Sequence, residues 1–89
     1  MRVANAREVG LYIRERRGAL AMTQAQLAER ARVSRRWLSD VEGGKDTAEL
    51  GRIIRTLRAV GVIVDLRLEK DDVPLDLDEH LARYREAGS

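Results

Sequence analysis

Apolar side chains recur at steps of three and four over the first sixty residues, then at every second residue from Val62 onward. The first spacing belongs to helices and the second to a strand. A first helix is expected from about Ala6 to Ala19. Asn5 and Glu8 stand ahead of it at capping-box spacing, and Val9, Ile13 and Leu20, widened by Tyr12, form its apolar stripe. A second helix begins after Thr23, whose hydroxyl can cap it while Gln26 reaches back; Met22 and Leu27 are placed to form a hydrophobic staple. It ends near Ala31. A short turn holding Arg32 and Val33 leads to a third start at Ser34, and that helix reaches Glu42 before Gly43 and Gly44 stop it. Asp46 and Glu49 form another capping pair. The fourth helix carries Leu50, Ile53, Ile54, Leu57 and Val60 on its core side, with Gly61 as its breaker.

In the segment that follows, Val62, Val64, Leu66 and Leu68 share one side and Asp65 and Arg67 the other, which predicts one strand over residues 62–69. A lone strand leaves its backbone donors and acceptors unpaired, and no second strand pattern exists in the chain, so the mate is expected from a second copy. An antiparallel pairing about a two-fold axis near Leu66 sets Asp65 of one copy opposite Arg67 of the other. The alternative is an extended tail lying on its own domain. Beyond the charged break Lys70 to Asp72 and Pro74, a short helix is expected from Asp76, with Glu79 in capping position and Leu77, Leu81 and Tyr84 on one side. The fold class is therefore mainly α: a bundle of four to five helices plus one C-terminal strand that forms an intermolecular two-stranded antiparallel sheet in a homodimer. Three parts result: residues 1–61, the strand 62–69 and an acidic tail 70–89.

Eighty-nine residues make a small core, for which association is a usual remedy. There is no cysteine, and the single histidine, His80, has no second imidazole beside which to build a metal site. No nucleophile stands with a base, and Gly43-Gly44-Lys45 lacks the first glycine and the hydroxyl of a phosphate loop. An enzyme is not expected, nor is a cofactor, a metal or a small-molecule ligand. Arg2, Arg7 and Glu8 interrupt any apolar secretion segment, and the longest apolar or glycine run, Ala59 to Val64, is too short to span a bilayer. A cytoplasmic protein without membrane contact is expected. The net charge of +2 is uneven: residues 1–60 hold 13 basic and 7 acidic side chains, and residues 61–89 hold 4 and 8. A basic head suits phosphate and an acidic tail faces elsewhere.

The second and third helices joined by a tight turn make a helix-turn-helix, whose second helix is sized for the major groove of DNA. On that helix Leu38 and Val41 face the core, which leaves Arg36, Ser39 and Asp40 outward and places Arg35 and Trp37 on the flanks. Arginine can donate two bonds to guanine, serine can bond several base edges, and aspartate can accept from cytosine or orient an arginine. Gln24, at the start of the second helix, and Lys45, in the turn after the third, are phosphate candidates; Ser34 caps the reading helix and completes the expected contact set. Trp37 can pack, donate its indole N–H to phosphate, or meet a partner.

Thr23-Gln24, Leu27-Ala28-Glu29, Val33-Ser34, Leu38 and Val41-Glu42 closely resemble the Xre/Cro helix-turn-helix family of phage and bacterial regulators over roughly residues 8–60. The resemblance implies a salt bridge between Arg17, late in the first helix, and Glu42, closing the third. The family often has glycine where this chain has Arg32. A left-handed backbone there costs a residue with a β-carbon about 1 kcal/mol, so a local difference in the turn is expected. The extension from Leu50 through Leu68 is similar to the HipB antitoxins of HipA–HipB toxin–antitoxin pairs. That likeness implies a dimer joined through Val62, Val64, Asp65, Leu66, Arg67 and Leu68, a palindromic operator on double-stranded DNA, autorepression, and a HipA-like kinase toxin as partner. A stand-alone regulator without a toxin is the runner-up expectation, and a protein-interaction module that has lost DNA contact is a third.

Overall fold

The computed structural model describes residues 1–68. Among these residues four helices follow one another: α1 (Ala6–Ala19), α2 (Gln24–Ala31), α3 (Arg35–Glu42) and α4 (Leu50–Ala59). The helix expected from Asp76 and the whole part 70–89 lie outside the described residues.

Three of the four helix starts are set by side chains that take up backbone N–H groups the helix cannot satisfy itself. Thr23 and Gln26 form a reciprocal box: the Thr23 hydroxyl accepts from the Gln26 N–H at 3.1 Å, and Gln26 Oε1 accepts from the Thr23 N–H at 2.8 Å. Ser34 Oγ accepts from the Trp37 N–H at 3.0 Å. Asn5 accepts from the Glu8 N–H at 2.9 Å, but the Glu8 carboxylate turns to the Ala4 N–H at 2.8 Å, so only half of a box forms. The start expected at Asp46 is corrected. The chain bends at Asp46, and α4 begins four residues later at Leu50, preceded by an extended Glu49 with no side-chain cap. Ala48 packs on the core ahead of the helix, and the Glu49 carboxylate reaches forward to Arg52 at 3.3 Å.

All four helices end in one geometry. The residue two beyond the last helical one at α1, α3 and α4, and the one directly after α2, is left-handed: Ala21 (φ 55), Arg32 (φ 59), Gly44 (φ 96) and Gly61 (φ 81). In each case the following N–H bonds five residues back: Met22 to Arg17, Val33 to Ala28, Lys45 to Asp40, and Val62 to Leu57. This is the Schellman closure. Arg32 therefore takes the left-handed turn, correcting the expectation of a local difference. The reason is packing: Met22, Val33 and Val62, the residues that close three of these turns, rest against the core, and that burial outweighs a strain of about 1 kcal/mol.

The core comprises Ile13, Leu27, Ala28, Leu38, Val41, Leu57 and Val60, with Val9, Tyr12, Trp37 and Ile53 packed on its edge. Leu20, placed on the core stripe by its spacing, is 45% exposed because α1 ends at Ala19 and the chain turns away. Leu50 is likewise turned outward, 71% exposed. Thr56 is fully buried, and its hydroxyl donates to the Arg52 carbonyl at 2.8 Å, so no polar atom is stranded. α1 lies on α3, and α2 lies between α3 and α4. At Gly10 the backbones of α1 and α3 approach so closely that a Cβ would strike the Val41 carbonyl.

Two substitutions test these joints in opposite directions. Gly10→Ala should lower stability by about 1–3 kcal/mol in urea unfolding, as overpacking against rigid backbone does. Ala21→Gly should raise it by about 0.5–1 kcal/mol, because the glycine relieves a left-handed β-carbon.

Candidate nucleic-acid interface

The candidate reading helix is α3, and its orientation follows from which of its side chains are buried. Leu38 is fully buried and Val41 nearly so, which turns Arg35, Arg36, Ser39 and Asp40 to solvent. Ser34 is also exposed, with its hydroxyl engaged in capping. Trp37 packs against the core edge and is partly buried. Arg35 and Arg36 make no ion pair with any described residue. Two arginines, a serine and an aspartate are thus presented on one outward surface of an eight-residue helix. Such a helix is about 12 Å long, comparable with the width of the major groove.

Asp40 and Lys45 lie together, with Lys45 Nζ 4.0 Å from Asp40 Oδ2 and both side chains about half exposed. Asp40 therefore meets Lys45 rather than an arginine. An exposed pair this long is weak and can be exchanged for a phosphate or a base edge. Gln24 is half-buried, and its amide Nε2 donates to Glu42 Oε1 at 3.3 Å. The second hydrogen of that amide remains a donor at the first turn of α2, beside free backbone N–H groups.

Behind this surface stands a charged clamp. Arg17 Nε donates to Glu42 Oε2 and Arg17 Nη2 to Glu42 Oε1, both at 2.9 Å, while Nη1 donates to the Met22 carbonyl at 3.0 Å. The Glu42 side chain is only 4% exposed and that of Arg17 17%. The hydrogen bonds to Glu42 push the Arg17 guanidinium above its already high ordinary range, against the opposing pull of burial. With Gln24 included, the Glu42 carboxylate joins the end of α3 to the late turn of α1 and the start of α2. The structure thus brings Arg17, Gln24 and Glu42 together, and Asp40 with Lys45.

Two further arginines, which sequence spacing did not single out, hold the frame. Arg16 donates through Nε and Nη2 to the Val60 carbonyl at 3.2 and 2.8 Å, closing the end of α4. Arg55 Nε donates to the Ala31 carbonyl at 3.1 Å and so ties α4 to the turn that leads into α3. Their partners are backbone carbonyls 44 and 24 residues away, which no local pattern announces.

Past α4, Val62 rests on the core, and residues 63–68 run on with no assigned strand in the single chain. Ile63 is 83% exposed, Leu66 90% and Leu68 73%, with Val64 about half exposed. Asp65 and Arg67 pair within the chain, Nε to Oδ2 at 2.8 Å, on the open surface. Among the described residues no group of side chains could hold a metal ion, and no helix is long and apolar enough to cross a membrane.

Two short helices at a tight turn, the second propped on the first and showing a polar, arginine-rich face, define a helix-turn-helix protein of the DNA-binding class. Comparison with known proteins agrees. The helix-turn-helix domain family matches residues 8–69, and the chain belongs to that family. It is also 31% identical over 65 residues to an uncharacterized HTH-type transcriptional regulator, y4mF, of Sinorhizobium fredii (strain NBRC 101917 / NGR234), covering 73% of this chain and 86% of the relative.

The clamp gives a direct test. Glu42→Ala should destabilise the fold by about 3 kcal/mol, since it leaves Arg17 without its carboxylate in a poorly hydrated place. Replacing Arg17 and Glu42 together by apolar residues should cost clearly less than the sum of the two single losses in a double-mutant cycle read by urea unfolding.

Proposed function

We propose that this protein is a sequence-specific, operator-binding transcriptional repressor that works as a homodimer and serves as the antitoxin of a HipA-like kinase. The observation that carries the DNA reading is the outward set on α3, Arg35, Arg36, Ser39 and Asp40, held on a helix whose other side is locked by Leu38, Val41 and the Arg17–Glu42 clamp. Arg36 reads a guanine, Ser39 and Asp40 read neighbouring edges, and Gln24 and Lys45 grip phosphate. The relative in Sinorhizobium fredii, named as a transcriptional regulator, supports the regulatory role. The protein acts in the bacterial cytoplasm and carries out no catalysis.

Dimerisation rests on the apolar segment after α4. Ile63, Val64, Leu66 and Leu68 offer apolar surface to water, and their backbone lacks a ladder partner in the single chain. Strand pairing with a second copy over residues 62–69 covers both, and Asp65 then exchanges its own Arg67 for that of the twin. The family match running to residue 69 supports counting this segment as part of the domain. A two-fold dimer presents two reading helices to a palindrome with half-sites about one helical turn apart. Bound there, it excludes polymerase from its own promoter.

The toxin partner is supported by the likeness of Leu50 to Leu68 to the HipB antitoxins. Co-purification from the native cell tests it: recovery of a kinase with the protein supports the antitoxin reading, and recovery of operator DNA alone favours a stand-alone regulator. Arg36→Ala should weaken binding to the selected operator by about 1–3 kcal/mol and relax preference at one base pair, measured by binding to a set of single-base operator variants. An equal loss on every sequence makes Arg36 a phosphate contact instead. Charged residues in place of Val64 and Leu66 should give monomers in analytical ultracentrifugation with far weaker operator binding. Persistent dimers under those replacements overturn the strand interface.

A further inference from the structure

Between Arg30 and Arg36 the chain holds four arginines and no acidic residue. Arg30, Arg32, Arg35 and Arg36 are all exposed, and none has an ion-pair or side-chain hydrogen-bond partner among the described residues. Arg16, Arg17 and Arg55 bond carbonyls or a carboxylate that hold the fold, and Arg52 and Arg67 pair with neighbouring acids; Arg7, Arg14 and Arg58 are exposed and unpaired too, but they are spread over α1 and α4 rather than gathered in one seven-residue stretch. Four uncompensated cations are thus gathered at the turn that leads into the reading helix.

Arg32 stands out within this group. Its backbone is left-handed at φ 59 and ψ 46, a conformation glycine adopts without strain and a residue with a β-carbon adopts at a cost. The bonds that close the turn come from backbone, Arg32 N–H to Glu29 and Val33 N–H to Ala28. The Arg32 side chain therefore contributes none of the hydrogen bonds that make the turn. Ala21 has the same left-handed backbone at another turn, so strain alone assigns no role; what sets Arg32 apart is a guanidinium that the turn leaves free, within a cluster of unpaired arginines.

We propose that Arg32 is a DNA backbone contact: its guanidinium binds a phosphate at the rim of the groove that α3 enters. This rests on the DNA-binding reading above and extends it beyond the reading helix. Helices of this kind bring their N-terminal residues to the base edges, so a residue two positions before the Ser34 cap is carried to the edge of the groove. A planar, permanently charged fork suits a phosphate held between two oxygens. Such a contact strengthens binding to all sequences alike and sharpens its dependence on salt, because each neutralised phosphate releases counterion. The turn accepts strain, and the surface gains a cation that glycine could not supply.

The test compares the full chain with Arg32→Gly and Arg32→Lys, measuring melting temperature and affinity over a range of salt for both a selected operator and a random-sequence duplex. Arg32→Gly should melt higher, by about 4 °C. It should also bind both duplexes several-fold more weakly, with the slope of log affinity against log salt shallower by about 0.9 per protomer. Arg32→Lys should keep the slope of the parent chain and its melting temperature. Unchanged affinity and slope in Arg32→Gly overturn the proposal, as does a loss confined to the operator, which marks a base contact. A parent chain that binds neither duplex overturns the DNA-binding reading itself, an outcome distinct from failure at Arg32 alone.

Discussion

A carboxylate taken almost wholly out of water must be given charge and hydrogen bonds in return, and Glu42 is the place where this chain meets that demand. The guanidinium of Arg17 meets it from α1 with two parallel bonds, and Gln24 adds a third donor from the first turn of α2. One acidic side chain thus makes the last turn of α3 answerable to both helices before it. Arg17 also holds the Met22 carbonyl, so the link between α1 and α2 is part of the same network. Apolar packing of Leu38 and Val41 says which side of α3 faces inward. The ion pair, being directional, adds where along α1 the end of α3 must sit.

The ends of the helices show how local preference and tertiary packing share control. Gly44 and Gly61 were legible as stops because glycine accepts a left-handed backbone, and the chain turns at both. Ala21 and Arg32 adopt the same backbone without that advantage. Nothing in their identities signals it; the signal lies one residue on, in Met22 and Val33, whose burial on the core fixes the path of the chain. Propensity is a weak prior that buried contacts override, and Arg32 is the clearest instance here.

Caps were readable to the extent that they are local. Thr23 with Gln26 and Ser34 with the Trp37 N–H involve residues three apart, and spacing alone located those starts. Asp46 and Glu49 have the same spacing and no such bond: Ala48 between them packs on the core, and the helix starts only after an extended Glu49. The outward surface of α3 was legible from the helical step once Leu38 and Val41 were assigned inward. The supports contributed by Arg16 and Arg55 were not, since each reaches a main-chain carbonyl on a distant helix that carries no residue-type signature. The alternation after Gly61 was plain, but its side preference was incomplete: Val62 belongs to the core of its own domain and Ile63 joins the exposed set.

Gly10 separates the frame of this domain from its vocabulary. Because α1 meets α3 through main-chain atoms at that point, the axis of α3 is referenced to a neighbouring backbone and to Leu38, Val41 and Glu42, all on its inner side. Positions 35, 36, 39 and 40 lie outside that reference and bear none of its load. On the proposed DNA reading they form an interchangeable set, through which descendants of this chain acquire new target preferences by drift at four surface positions while the scaffold beneath stays still.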